Sequence, residues 1–145
     1  MKYKVKTTSW NESKKALSDI RRKVFIEEQN VPEELEWDEY DQDCTHILVT
    51  DENNIPIACG RLKADGHIGR MAVLKAHRAT GIGTSILKEL LNHAANLHIK
   101  KLYLHAQTSA ISFYEKQGFE VSSEEFMDAN IPHKSMEKLL STGVH

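Results

Sequence analysis

Arg78-Ala79-Thr80-Gly81-Ile82-Gly83-Thr84 separates two stretches of different period, and its reading decides what surrounds it. Before it, His67 to Val73 alternates in the manner of a strand. After it, Ile82, Ile86, Leu87, Leu90, Leu91 and Ala94 return to one side at helical spacing. The heptapeptide is therefore a loop that opens a helix. A helix N-terminus presents N–H groups without internal partners and a partial positive charge. Gly81 and Gly83 carry no Cβ, so the chain can turn tightly and an anion can approach the main chain. Arg78 adds a permanent cation and Thr84 a hydroxyl. Pyrophosphate binding is the chemistry this favours.

Two other phosphate loops do not fit. A Walker A loop needs Gly-Lys-Ser/Thr after a second glycine, and none follows Gly83. A dinucleotide fingerprint needs a third glycine or alanine where Ser85 and Ile86 stand.

Outward from the loop, Lys2 to Thr8 alternates as a first strand, and Ser13 to Gln29 reads as a helix with Asn11 and Ser13 as capping candidates. Ala16, Leu17, Ile20, Val24 and Phe25 share its apolar face, and Val31-Pro32 ends regular structure. His46 to Thr50, Ile57 to Lys63 and His67 to Val73 form an antiparallel meander, since their connections are too short for crossover helices. Lys101 to Ala106 is a strand, and Ser109 to Gln117 a short helix with Gly118 in a left-handed C-terminal cap. Phe119 to Val121 and Ser135 to Leu140 complete the strands. This order predicts an α/β (α+β) fold: one mixed, mostly antiparallel central sheet with helices on both faces, in a single domain over residues 1–145.

The chain has 145 residues, enough for one hydrophobic core, and its 40% apolar and 28% charged composition is ordinary for a globular domain. A net charge of −2 gives no broad basic footprint, so no nucleic-acid partner is expected; Arg21-Arg22-Lys23 reads as the solvated side of a helix. No apolar run has spanning length and no secretory pattern opens the chain, which predicts no membrane partner and a cytoplasmic location. Cys44 and Cys59 suggest neither a disulfide framework nor metal-ligand spacing. His93 and His98 are five apart, and no His-Glu-x-x-His pair is present, so no metal is expected.

Arg78-x-x-Gly81-x-Gly83 between strand and helix resembles the acyl-CoA signature of the GNAT acetyltransferase superfamily. Phe113-Tyr114-Glu115-Lys116-Gln117-Gly118-Phe119 is similar to that family's Phe-Tyr-x-x-x-Gly-Phe segment, one helix and one strand further on. Val24 to Gln29, the acidic Glu36 to Asp41 and Ile131-Pro132-His133 resemble the bacterial ElaA/YjcF-like branch. Ala79-Thr80 departs from the glycine that many relatives carry beside the arginine.

The resemblance implies acetyl-CoA (coenzyme A) as acyl donor and an N-acetyltransferase in which a primary amine, in the first instance of a small molecule, attacks the thioester in a ternary complex. It places Met71, Ala72, Val73, the loop from Arg78 through Ala79, Thr80, Gly81, Ile82 and Gly83 to Thr84, Tyr114 and Lys116 on the cofactor. Tyr114 would protonate or hydrogen-bond the departing thiolate; Glu28 or His133, with His105 behind them, would take the amine's proton. Glu28, Gln29, Trp37, His105, Gln107 and His133 would face the acceptor. The acidic run Glu33 to Asp41 would attract a cation, with Trp37 or Tyr40 stacking on it, or would be a solvated loop. A protein amine as acceptor, or a non-catalytic acyl-CoA sensor, are the competing readings. The last strand could pair across a homodimer, as in some relatives.

Overall fold

Alternating apolar and polar residues produce most of the strands where the pattern puts them. The computed structural model describes residues 2–140. Strands β1 (Tyr3–Thr8), β2 (Thr45–Asp51), β3 (Pro56–Leu62) and β4 (Ile68–Val73) form an antiparallel sheet in that order. Strands β5 (Lys101–Gln107), β6 (Glu120–Val121), β7 (Phe126–Asp128) and β8 (Ile131–Leu139) form the other half, with β8 between β5 and the short pair β6 and β7. The expected single sheet is thus built from two antiparallel halves. They touch at one parallel bridge, His67 with Tyr103, where Tyr103 N–H donates to Gly66 O at 3.1 Å.

Side chains alternate across the first half. Ile47, Val49 and Ala58 point to helix α3 (Ile82–Asn96), which buries Ile82, Ile86, Leu87, Leu90 and Ala94 against them. Leu48, Cys59 and Ala72 point the other way, to Leu17 and Ile20 of α1 (Trp10–Arg21). Each buried Ile, Leu or Val among them contributes about 1.5–3 kcal/mol. Helices therefore cover both faces. Two short helices remain, α2 (Glu33–Glu36) and α4 (Ile111–Glu115).

Several local expectations change. The helix expected from Ser13 to Gln29 starts earlier, capped by Ser9, whose Oγ accepts from Glu12 N–H at 3.2 Å. Asn11 lies inside it, and the Ser13 hydroxyl bonds that of Thr8 at 2.7 Å. From Arg22 to Glu28 it widens into a π-helical stretch, closed by Gln29 N–H on Val24 O. The 3.6-residue pattern cannot show such widening. The last strand begins at Ile131, and β7 pairs with its start through a turn in which Ala129 and Asn130 both have positive φ. β8 pairs with β5 over His133 to Leu139 on one side, and on the other with β7 over Ile131 to His133 and with β6 at Met136 and Glu137. Gly118 does take the left-handed cap, at φ 90°.

Candidate active site

Beyond their single bridge, β4 and β5 diverge, and a cavity of about 260 Å³ opens between Ile68–Met71 and Leu104–Gln107. The antiparallel alternation decides which main-chain groups reach it. Leu74 N–H donates to Ile57 O on β3, so Val73 directs its polar groups away from β3, and one residue further back the register shifts, with Arg70 and Met71 together opposite Gly60. Val73 O accordingly accepts from Arg78 Nε at 2.8 Å. Ala72 is buried in register with Cys59 and contributes core, not cleft.

The loop beyond β4 forms a helix mouth. Gly81 holds φ 86° as the N-cap of α3 and supplies no side-chain cap, and a Cβ there would meet open space, so backbone conformation is what asks for glycine. The first helical bond is Ser85 N–H to Gly81 O at 3.1 Å, which leaves the N–H groups of Ile82, Gly83 and Thr84 without helical partners. The Ile82 side chain is core. Thr80 Oγ1 donates to His77 O at 2.6 Å, and Ala79 sits at φ 61°. This donor set, with the polar edge of β4 leading to it, fits an elongated ligand carrying a pyrophosphate. Lys116 is exposed at the end of α4.

Arg78 is not free for an anion. Its Nη1 and Nη2 each donate to the Glu28 carboxylate at 2.6 Å. That hydrogen bonding holds Glu28 below the usual carboxylate range, which makes it a weak base, and the pair lies outside the cleft lining.

Tyr114 lines the cleft with its hydroxyl 3.7 Å from Met71 Sδ. Burial pushes its pKa up to about 12. Opposite, His133 is buried, stacked on Phe126 at 5.9 Å, and its Nδ1 lies 2.7 Å from Ile131 O. A carbonyl can only accept, so Nδ1 carries hydrogen and the neutral ring keeps its lone pair on Nε2. Gln107 is the register partner of His133 and donates to Gln29 Oε1 at 2.8 Å, which ties β5 to the end of the π-helical stretch. His105 is exposed on the same wall, 5.2 Å from the His67 ring. The structure thus gathers Met71, Tyr114, Gln29, His105, Gln107 and His133 in one cleft.

Burial, then the neighbouring His105, push His67 down to about 4. Unfolded histidine takes its proton near pH 6.5, so below that value the unfolded chain binds more protons than the folded one. Stability from this group is full above pH 6.5 and is lost as pH falls toward 4, by about 3 kcal/mol. Thermal melts across this range should slope less steeply for His67→Gln than for the wild type; equal slopes would contradict the burial of a neutral ring.

Trp37 does not reach the cleft. It is packed by the guanidinium groups of Arg21 and Arg22, 5.2 and 5.5 Å from its ring. Tyr40 is covered by Lys63 Nζ at 3.8 Å. The acidic run divides: Glu33, Glu34 and Glu39 stay exposed, while Glu36, Asp38 and Asp41 turn inward. Arg21, read above as solvated, is buried, with Nε 2.8 Å from Glu36 and Nη1 2.8 Å from Asp41. Arg61 joins Asp38 and Asp41 at 2.9 and 3.0 Å, and Arg70 joins Glu36 and Asp38 at 3.0 and 3.3 Å. Exposures of 1% for Arg21, 2% for Arg61 and 3% for Glu36 and Asp41 make this a buried network. Its partners lie 15 to 34 residues apart, a separation no local pattern carries.

Residues 10–140 match the family profile described as acetyltransferase (GNAT) domain. The uncharacterized N-acetyltransferase YjcF of Bacillus subtilis (strain 168) is 44% identical over 123 residues, covering 82% of this chain and 87% of its own. Protein ElaA of Escherichia coli (strain K12) is 30% identical over 128 residues, covering 83% and 84%. The crystal structure of Escherichia coli ElaA matches with a TM-score of 0.84 at 27% identity over 94% of this chain and 99% of that one. An acyl-CoA N-acyltransferase from Pseudomonas aeruginosa matches with a TM-score of 0.85 at 26% identity, covering 94% and 99%.

Proposed function

The chain belongs to the GNAT acetyltransferase family and is an N-acetyltransferase, and on that footing we propose that it moves the acetyl group of acetyl-CoA to the primary amine of a small molecule, by direct attack in a ternary complex. The observation that carries this reading is the cleft itself. The polar edge of β4, Tyr114 and the His133 imidazole converge on one cavity of about 260 Å³, a volume suited to a small acceptor.

The cofactor supplies an acyl group activated as a thioester. The chain's part begins with the Ile82, Gly83 and Thr84 N–H groups, which hold the pyrophosphate, and the Met71 and Val73 main chain, which aligns the arm as an added strand. His133 Nε2 accepts the proton of the acceptor ammonium and exposes the nitrogen lone pair. The nitrogen bonds the acyl carbon, the carbon–sulfur bond breaks with the electron pair going to sulfur, and the nitrogen's second proton passes to that sulfur, leaving an N-acetyl amide and free CoA thiol. Met71 N–H faces the oxygen on which charge develops meanwhile. Tyr114 steadies the departing sulfur. A Tyr pKa near 12 against about 8.5 for a thiol makes full proton transfer uphill by about 5 kcal/mol, so its contribution is a hydrogen bond. Neither cysteine serves as an acyl carrier: both are buried outside the cleft lining, and burial pushes Cys59 up to about 12.

Glu28 acts on the donor side. Its carboxylate competes with phosphate for Arg78, and Arg78 Nε covers the Val73 O that an added strand would use. Glu28→Gln is therefore expected to lower KM for acetyl-CoA about two- to five-fold with kcat unchanged, the worth of an exposed ion pair. A fall in kcat with unaltered KM would instead make Glu28 the base.

Release of CoA thiol from acetyl-CoA over a panel of amines and amine-bearing peptides tests the proposed function. Stimulation by small amines, with N-acetylated product, is expected. CoA binding with no stimulation by any amine would make the protein a sensor, and stimulation by peptides alone would move the acceptor to protein.

A further inference from the structure

The part of the acidic run that turns inward offers little negative charge to an acceptor, and Glu34 and Glu39 are exposed outside the cleft lining. Arg21, Arg61 and Arg70 meet Glu36, Asp38 and Asp41, three cations for three anions, and Arg22 takes Glu33 at 2.8 Å. The cleft wall is then neutral to cationic, with the amides of Gln29 and Gln107, the rings of His67, His105 and His133, and Arg70. Two carboxylates belong to it. Glu36 Oε2 already faces Arg21 Nε and Arg70 Nε, and Asp128 is exposed at the end of β7, paired in register with Ile131.

Arg70 stands apart from the other two buried arginines. It lies on β4 directly before Met71, at φ 50°, with its side chain 23% exposed and lining the cleft. Nε faces Glu36, and Nη2 donates to Glu36 O at 2.9 Å and to Asp38 at 3.3 Å. Among the described residues Nε makes no hydrogen bond despite its 3.0 Å ion-pair distance to Glu36, and both hydrogen bonds of the group come from Nη2, so Nη1 has no partner. A half-satisfied guanidinium held rigidly beside the acyl position is a binding group for an oxyanion.

Resting on the acetyltransferase reading, the geometry points to an acceptor that carries a carboxylate a few bonds from its amine, an amino acid in chemical class, with the carboxylate on Arg70 Nη1 and the nitrogen between Met71 and His133. Arg70 is then a specificity-determining residue of the acceptor site. A simple diamine finds no free carboxylate in the depth of this cleft.

The experiment compares kcat/KM for acetylation of matched acceptors: L-leucine with 3-methylbutylamine, L-lysine with cadaverine, and 2-aminoethyl phosphate with ethanolamine. In the first two pairs the carboxylated member is expected to be favoured about ten- to a hundred-fold, the worth of a charge-assisted hydrogen bond. In Arg70→Gln the preference should collapse toward unity through KM, and Arg70→Lys should restore part of it. If Arg70 only supports the fold, both members of each pair fall together and the ratio stays, which overturns the assignment. The wild-type ratio is decisive even where a variant misfolds. Preference for cadaverine and 3-methylbutylamine overturns the inference while leaving acetyl transfer to small amines standing. Preference for 2-aminoethyl phosphate over every carboxylate replaces the proposed class with a phosphate. No acetylation of any of the six contradicts both the inference and the reading beneath it.

Discussion

Replacing Arg21 with alanine is expected to lower the melting temperature by about 10–20 °C, the largest effect of any single substitution outside the apolar core. Arg21 is 1% exposed and is the shared partner of Glu36 and Asp41, reaching also the Glu36 main-chain oxygen at 3.0 Å. Its removal leaves two buried carboxylates, one retaining Arg70 and the other Arg61. Breaking a buried pair from one side costs about 3–5 kcal/mol, because the abandoned charge stays desolvated. At roughly 3–4 °C per kcal/mol for a domain of this size, the stated drop follows. Lysine in its place should recover little, since an ammonium cannot span both carboxylates as the planar fork does. A melting point within 3 °C of the wild type would mean that the network contributes nothing net to the fold.

The second large effect concerns chemistry and leaves the fold intact. Tyr114→Phe is expected to lower kcat about ten- to a hundred-fold while changing CoA affinity less than two-fold. A hydrogen bond to a group that becomes charged is worth about 1.5–3 kcal/mol, and this one is made fully only as the sulfur leaves. With its pKa pushed up to about 12, the tyrosine stays protonated throughout the neutral range, so its loss should scale the kcat–pH profile without moving it. Unaltered turnover in Tyr114→Phe would remove Tyr114 from the mechanism. A displaced basic limb would show that it exchanges its proton after all.

What could be seen in the sequence was what neighbours decide. The Arg78 to Gly83 loop, the apolar face of α3 and the strands flanking it are written in residues within a turn or two of one another, and the fold has them within a residue or so of where the pattern puts them. The two splayed halves follow less directly, since period says which residues form a strand and nothing about which strand it pairs with. Strand β7 escaped because three residues between polar neighbours make no pattern, and its turn uses Ala129-Asn130 in place of a glycine.

The charged groups are the opposite case. Arg21, Arg22 and Lys23 look alike in sequence, yet Arg21 is buried, Arg22 half-buried and Lys23 exposed, since only the first meets Glu36 and Asp41. The same pairing withdrew Trp37 from the acceptor side and drew Glu36, Asp38 and Asp41 of an acidic stretch into an internal scaffold. Glu28 changed for a like reason, its carboxylate being set against Arg78, 50 residues away. His133 and Gln107, by contrast, reach the cleft as β8 and β5 place them, adjacent in register.

In the proposed reaction acyl donor and amine meet in one cleft and react without a covalent enzyme intermediate. Initial rates at crossed concentrations of acetyl-CoA and an accepted small amine test it most directly. Double-reciprocal lines that intersect, with no acetyl group left on the protein after incubation with acetyl-CoA alone, are the predicted result. Parallel lines together with an acetylated protein able to pass its acetyl group to the amine would contradict it.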